Sequence, residues 1–141
     1  MDDKNKYILN EIRNCNSISI HVRRGDFKLY GFVEDNYYIN SINEIIKNIK
    51  EPKFFIFSDD IDYVKNNIIK KLSSTVLFSI VDINDNDKGY FDLFLMMNCK
   101  HQIVSNGSFG YFAYCFNKNK YKILITPENM IEYYIENIDK I

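Results

Sequence analysis

Tryptophan is absent from the 141 residues, proline occurs twice and glycine five times. So little glycine and proline excludes a collagen-like or low-complexity chain, and 16% aromatic residues, all Tyr and Phe, excludes disorder. The three cysteines, Cys15, Cys99 and Cys115, form neither an even disulfide set nor a CxxC or Cys/His zinc pattern. No metal site is therefore expected, and a reducing cytoplasm is the expected location, with peripheral attachment to a membrane left open. Net charge is scarce as well: 18 basic against 19 acidic residues give −1, so nothing draws the chain to a polyanion and no nucleic-acid partner is expected. No apolar run approaches a membrane span, and the first twenty residues hold no signal-peptide core. The phosphate-binding patterns GxxxxGK[ST] and GxGxxG and the nucleophile pattern GxSxG are all missing.

What is present is 46% hydrophobic and long enough for one compact domain with its own core, spanning residues 1–141. Short apolar runs alternate with stretches of helical spacing. "SISIHV" (17–22) reads as a strand, and "NYYINSINEIIKNI" puts Tyr38, Ile42, Ile45, Ile46 and Ile49 on one helical face, with Asp35 as its N-cap. "KFFIF" (53–57) is the next strand, followed by a helix on Ile61, Val64, Ile68 and Leu72. The alternation continues with strands at 75–80, 101–105 and 122–126 and helices at 89–98, 108–117 and 128–139. Five short strands separated by helices predict an α/β fold: a Rossmann-like parallel sheet with helices on both faces.

In such a sheet ligands bind beyond the carboxyl ends of the strands. "HVRRGDF" (21–27), "FSDD" (57–60), the loop at 82–88 and "SNGSFG" (105–110) fall on that rim. Two consecutive arginines cannot both enter the core, because guanidinium is always charged. An internal salt bridge of Arg23 or Arg24 with Asp26 is the plain reading; an anion site, with Gly25 admitting close backbone approach, is the sharper one. Ser105–Gly110, with Asn106 and Ser108, is ordinary turn and capping chemistry or a seat for phosphate oxygens at a helix N-terminus. Ser58, Asp59 and Asp60 either cap a helix, by Ser58 and Asp59, or address a nucleoside. His21 is equally a satisfied half-buried histidine or a ligand contact, and His101 with Cys99 reads as structural.

These blocks, together with "DLFLMMNCKHQIVSNGSFGYFAYCFN" and "KILITP", resemble in order and spacing the carboxyl-terminal half of the α-1,2-fucosyltransferase family, over about residues 17 to 127. The resemblance implies the nucleotide-sugar lobe of a GT-B-type enzyme, lacking the family's amino-terminal lobe. It implies GDP-fucose as donor substrate, no cofactor or metal, a glycan acceptor, and transfer with inversion. Arg23 and Arg24 would neutralise the diphosphate, Arg23 by direct contact. His21 and Asp59 or Asp60 would address the guanosine, Asn106 would lie at the donor site, and Ser108 and Phe109 would close on the phosphates. Asp26 would orient Arg24 or act as base. A homodimer or a partner chain would supply the missing lobe. The alternative is a non-catalytic nucleotide-sugar-binding or interaction domain.

Overall fold

The computed structural model describes residues 1–24 and 33–127; the expected helix at 128–139 lies outside these. The chain opens with a helix that the sequence reading passed over, α1 (Asp3–Arg13). Asp2 caps it by accepting from the Asn5 backbone N–H at 2.9 Å, and Leu9 and Ile12, three apart, bury one stripe. The strands β1 (Asn16–Val22), β2 (Pro52–Ser58), β3 (Leu77–Ile80), β4 (His101–Ile103) and β5 (Leu124–Ile125) follow. Between them lie α2 (Asp35–Asn48), α4 (Gly89–Asn98) and α5 (Phe109–Phe116). The segment after β2, here α3, starts as one α-turn (Ile61–Tyr63), widens into a π turn (Val64–Ile68) and tightens into a 3₁₀ turn (Ile69–Lys71).

All strand pairs are parallel and the order is β3-β2-β1-β4-β5. The chain winds outward from β1 to β3, returns across the sheet through α4, and continues on the other side of β1. The winding therefore reverses between β1 and β4, where a doubly wound sheet opens a crevice at its carboxyl edge.

Period-2 alternation divides the core into two layers. Ile18, Ile20 and Val22 of β1 join Phe54 and Ile56 of β2 against Tyr38, Ile42 and Ile45 of α2 and Val64 and Ile68 of α3. On the opposite face Phe55 and Phe57 pack with Leu9 and Ile12 of α1, Leu95 and Met96 of α4 and Ala113 of α5. Here β1 presents Ser17, Ser19 and His21, small or narrow side chains that let the helices approach. A Cβ added at Gly110 would lie 2.9 Å from Val104 Cγ1 and 3.3 Å from His21 Cβ.

Several expectations are corrected. Ile46 is exposed rather than on the buried stripe of α2. Asp35 does not cap that helix: Glu34 holds the position without a side-chain bond, and the Asp35 carboxylate instead accepts from the Tyr63 hydroxyl and, at 3.1 Å, from Lys71 Nζ. Strands expected at 75–80, 101–105 and 122–126 are shorter at their ends. The two-residue β5 persists through bonds from outside itself. The backbone N–H groups of Gln102 and Val104 donate to Ile123 and Ile125, His101 Nδ1 accepts from the Ile123 N–H, and the Tyr37 hydroxyl sits 2.5 Å from the Val104 carbonyl and 3.0 Å from that of Ile125. Gln102 and Asn117 close the lower end: Gln102 donates to the Met96 and Cys99 carbonyls and accepts from Asn117. His101 is structural, as read.

The neighbouring tyrosines make a paired test. Tyr38 is fully buried and its hydroxyl has no hydrogen-bond partner; Ser105 faces it, but that hydroxyl is turned to the Arg23 N–H and the Asn106 carbonyl. Tyr37→Phe is expected to cost about 1–2 kcal/mol through loss of the hydroxyl donor to the Val104 carbonyl, whereas Tyr38→Phe is expected to leave stability within about 0.5 kcal/mol or raise it. Urea midpoints at unchanged m-value check both; equal losses in the two variants would refute the assignment.

Candidate active site

The carboxyl ends of β1, β2 and β4 bring the predicted rim together. At the end of β1 the alternation of the strand persists, so neighbouring side chains leave on opposite sides. His21 and Arg23 go toward α5, and Arg24 goes toward α3.

Arg23 donates its backbone N–H to Ser105 Oγ at 3.1 Å, which ties the first arginine to the end of β4. Its side chain lies along Gly107. A Cβ at that residue would stand 3.2 Å from Nη1 and 3.3 Å from Cδ, and φ is +107°, a left-handed conformation suited to glycine. Asn106 is buried beside it, and Ser108 occupies the N-cap position of α5, exposed and making no side-chain cap bond. Phe109 is half-buried, its ring 5.2 Å from that of His21 and tilted 48°. The combination is a guanidinium beside a turn of bare backbone at the point where the winding reverses, a seat chemically suited to an anion.

His21 is pushed down to about 4, mainly because burial disfavours the imidazolium; the Arg23 charge adds to this and Asp59 opposes it. The ring is neutral at physiological pH, with one nitrogen to donate and one to accept.

On the other side Arg24 donates its backbone N–H to Asp59 Oδ1 at 2.8 Å, and its guanidinium lies 3.8 Å above the centre of the Tyr63 ring. Ser58 is taken up inside the protein, donating to the Val22 carbonyl at 2.6 Å and accepting from the Asp60 N–H at 2.9 Å. The cap of α3 is Asp60, which accepts from the Tyr63 N–H at 3.0 Å, rather than Ser58 and Asp59. Asp26 lies outside the described residues. Among the described residues no group of three or more His, Cys, Asp or Glu side chains is placed to hold a metal ion, and no helix is long and apolar enough to cross a membrane.

Tyr63 and Lys71, which sequence reasoning did not single out, border this rim, together with Ser105, read there as part of the 105–110 turn, and Asp35, read there as a helix cap. Ser105 tethers Arg23, and Tyr63, Lys71 and Asp35 form a linked group under Arg24. Tyr63 carried a weak signal: it follows the β2 capping residues by one helical turn, where a side chain points back toward the strand end.

Strand order and two-faced helix cover define a Rossmann-like domain of the kind that forms the nucleotide-sugar lobe of GT-B glycosyltransferases. More narrowly, the chain belongs to glycosyl transferase family 11, whose sequence profile matches residues 4–137. It is 33% identical over 136 residues to an α-1,2-colitosyltransferase of Escherichia coli, covering 90% of this chain and 45% of that protein. It is 27% identical over 121 residues to the O-antigen biosynthesis glycosyltransferase WbnK of Escherichia coli, covering 81% and 39%. The chain thus spans less than half the length of these curated relatives. The family match overturns the assignment made from motifs alone, to the carboxyl-terminal half of the α-1,2-fucosyltransferases over about 17 to 127. The matched region takes in nearly the whole chain, including α1, whose sequence carries none of the quoted motifs.

The depressed His21 value has a consequence for stability. Below about pH 6.5 the unfolded chain takes up a proton that the folded chain refuses until about pH 4. Stability is therefore expected to fall as pH drops through that window and to be insensitive to this group above it. In His21→Gln the loss between those limits should be visibly smaller; chemical denaturation profiles superimposable on the parent would show that the ring is not held neutral.

Proposed function

We propose that this glycosyltransferase domain binds GDP-fucose as its donor and delivers the sugar, with inversion, to a glycan hydroxyl in α-1,2 linkage. The observation that carries the reading is the Arg23 guanidinium lying against the left-handed backbone at Gly107, at the reversal point of the sheet. Breaking the bond between the sugar's C1 and the diphosphate builds negative charge on the leaving oxygens. A fixed guanidinium and backbone N–H groups stabilise that charge more in the transition state than before it. In this reading Arg23 grips the diphosphate, the turn at Asn106–Ser108 holds its oxygens, and Phe109 closes the seat. Neutral His21 and the Asp59 carboxylate, which senses it electrostatically, address the guanosine, while Asp60 and Ser58 hold the β2 end in place. Arg24, anchored by Asp59, contributes positive potential from the far side of the strand rather than a second grip on the same phosphate.

The relative named an α-1,2-colitosyltransferase supports the linkage and motivates a second donor reading, the nucleotide-linked form of colitose, the 3-deoxy counterpart of fucose. The two donors share the diphosphate seat and differ at one sugar hydroxyl.

Calorimetry with GDP is expected to show binding, and Arg23→Ala to weaken it by about 2–4 kcal/mol, the scale of a lost charge-assisted phosphate contact. No heat with GDP, or an unchanged affinity in Arg23→Ala, would remove the proposal. Competition between the fucose and colitose donors decides the sugar. A product assay with glycan acceptors separates a transferase from a domain that binds the donor only.

A further inference from the structure

The edge of the sheet opposite the rim, where the strands begin, carries a separate concentration of charge. From Asn98 to Lys122 the chain holds four lysines and no acid, although its 141 residues carry a net charge of −1. The positive charge is therefore segregated, and most of this segment's lysines lie just before the starts of β4 and β5.

Asparagines tie this edge together and leave the ammonium groups outside. Asn117 and Asn119 donate their side-chain amides to the Lys100 carbonyl, at 3.0 and 2.9 Å, which joins the turn after α5 to the start of β4. Asn16, at the start of β1, donates to the Lys50 carbonyl at 2.5 Å and accepts from Lys100 Nζ at 3.0 Å. Lys50, Lys100, Lys118 and Lys120 thus form one strip that follows the sheet order from β2 through β1 and β4 to β5. All four are exposed, and among the described residues none pairs with a carboxylate. Of the acids nearby, Glu11 is taken by Lys53 at 3.5 Å, which leaves Glu51 beside the strip and Glu44 a turn higher on α2.

Helix ends account for only part of this charge. Arg13 and Lys47 sit in the last turns of α1 and α2, where a cation complements the helix dipole. That effect fades beyond the last turn, and Lys50, Lys118 and Lys120 lie past it. In "NKNKYK" (117–122) the asparagines turn inward: Asn117 accepts from the Asn119 N–H at 2.8 Å, and Asn119 from the Tyr121 N–H at 3.3 Å. Lys118 and Lys120 are left standing outward. Next to them Phe116 is 54% and Tyr121 77% exposed, with Lys120 Nζ 5.7 Å from the centre of the Tyr121 ring.

Solvated lysines beside exposed aromatic rings match the chemistry of an anionic lipid surface. Ammonium groups act as point charges that tolerate mobile phosphates, and aromatic side chains settle between headgroups and acyl chains. A nucleic acid favours guanidinium forks, and of the chain's three arginines only Arg13 lies at this edge.

We propose that the amino edge of the sheet docks on a lipid surface with anionic headgroups. Lys50, Lys100, Lys118 and Lys120 lie over the headgroups, and Phe116 and Tyr121 enter the interface. β1 and β2 are seven residues long, so at about 3.3 Å per residue the rim stands roughly 20 Å from the lipid, facing solvent. The docking does not depend on which donor the rim takes.

The test is flotation of the 141-residue chain with phosphatidylcholine vesicles made with and without phosphatidylglycerol, at low and raised salt. Binding is expected to the phosphatidylglycerol vesicles alone and to fall as salt rises. A lysine near an anionic leaflet is worth about fivefold in affinity, so Lys118→Gln combined with Lys120→Gln should weaken binding by about tenfold or more. Tyr121→Ser should weaken it less, and both variants should keep the circular dichroism of the parent. In acetylation footprinting the vesicles should protect Lys50, Lys118 and Lys120 while Lys4, at the far end of α1, stays reactive. No vesicle binding, equal binding to neutral vesicles, or unchanged affinity in the double variant would overturn the proposal. So would the same lysines holding RNA more tightly than vesicles, which makes the edge a nucleic-acid surface, or driving self-association in place of lipid binding, which makes it an interface between copies.

Discussion

The contact between the Arg23 side chain and the bare backbone of Gly107 is the constraint around which the rest of the rim is arranged. At φ of +107° a side chain would be strained, and a Cβ there would press on the guanidinium at 3.2 Å. The turn can pass so close to a cation only if the residue is glycine and the two strand ends are adjacent. Adjacency comes from the parallel pairing of Ile18, Ser19 and Ile20 with His101, Gln102 and Ile103. The distance is then fixed by the Arg23 N–H on Ser105 Oγ. Three residues further, Gly110 repeats the requirement in the core: α5 approaches the sheet closely enough that Val104 and His21 leave no room for a methyl group. The same two glycines thus set both the height of the helix and the seat at its start.

Strand geometry then separates what the sequence writes side by side. "RR" suggests a doubled charge aimed at one target, yet consecutive residues on an extended strand face opposite ways. Arg23 joins the β4 turn, and Arg24 joins Tyr63 and the linked Asp35 and Lys71. The spread avoids concentrating two like charges in one place and sets Arg24 beside the Tyr63 ring and the Asp35 carboxylate.

Much of this was legible in the sequence because it rests on period and punctuation. Apolar runs bounded by polar turns located all five strands, and their βα alternation implied the parallel sheet and hence which ends would carry polar chemistry. "FSDD" and "SNGSFG" fell where strands stop and helices start. Less legible were features set by tertiary partners. The α1 stripe of Leu9 and Ile12 is diluted by charged and amide residues and declares itself only against Phe55 and Phe57. Asp35 stands where a cap belongs but is drawn away by Tyr63 and Lys71, 28 and 36 residues distant. Asp59 and Asp60 are chemically identical neighbours, and only the path of the backbone sends one to Arg24 and the other to the helix. The ends of β3, β4 and β5 were overestimated because the apolar Val76, Val104 and Ile123 adjoin these strands without belonging to them.

The charge state of the rim follows from the same packing. Burial beneath Phe109 and proximity to Arg23 both push His21 toward the neutral ring, while Asp59 pulls the other way and loses. A protonated imidazole would add a titrating charge beside the guanidinium, in a pocket where water is partly excluded. Keeping the ring neutral leaves the positive potential on the arginines, whose charge does not change over the physiological range. The positive potential at the rim is accordingly steady with pH, and His21 remains available for what a neutral imidazole does best, donating at one nitrogen and accepting at the other.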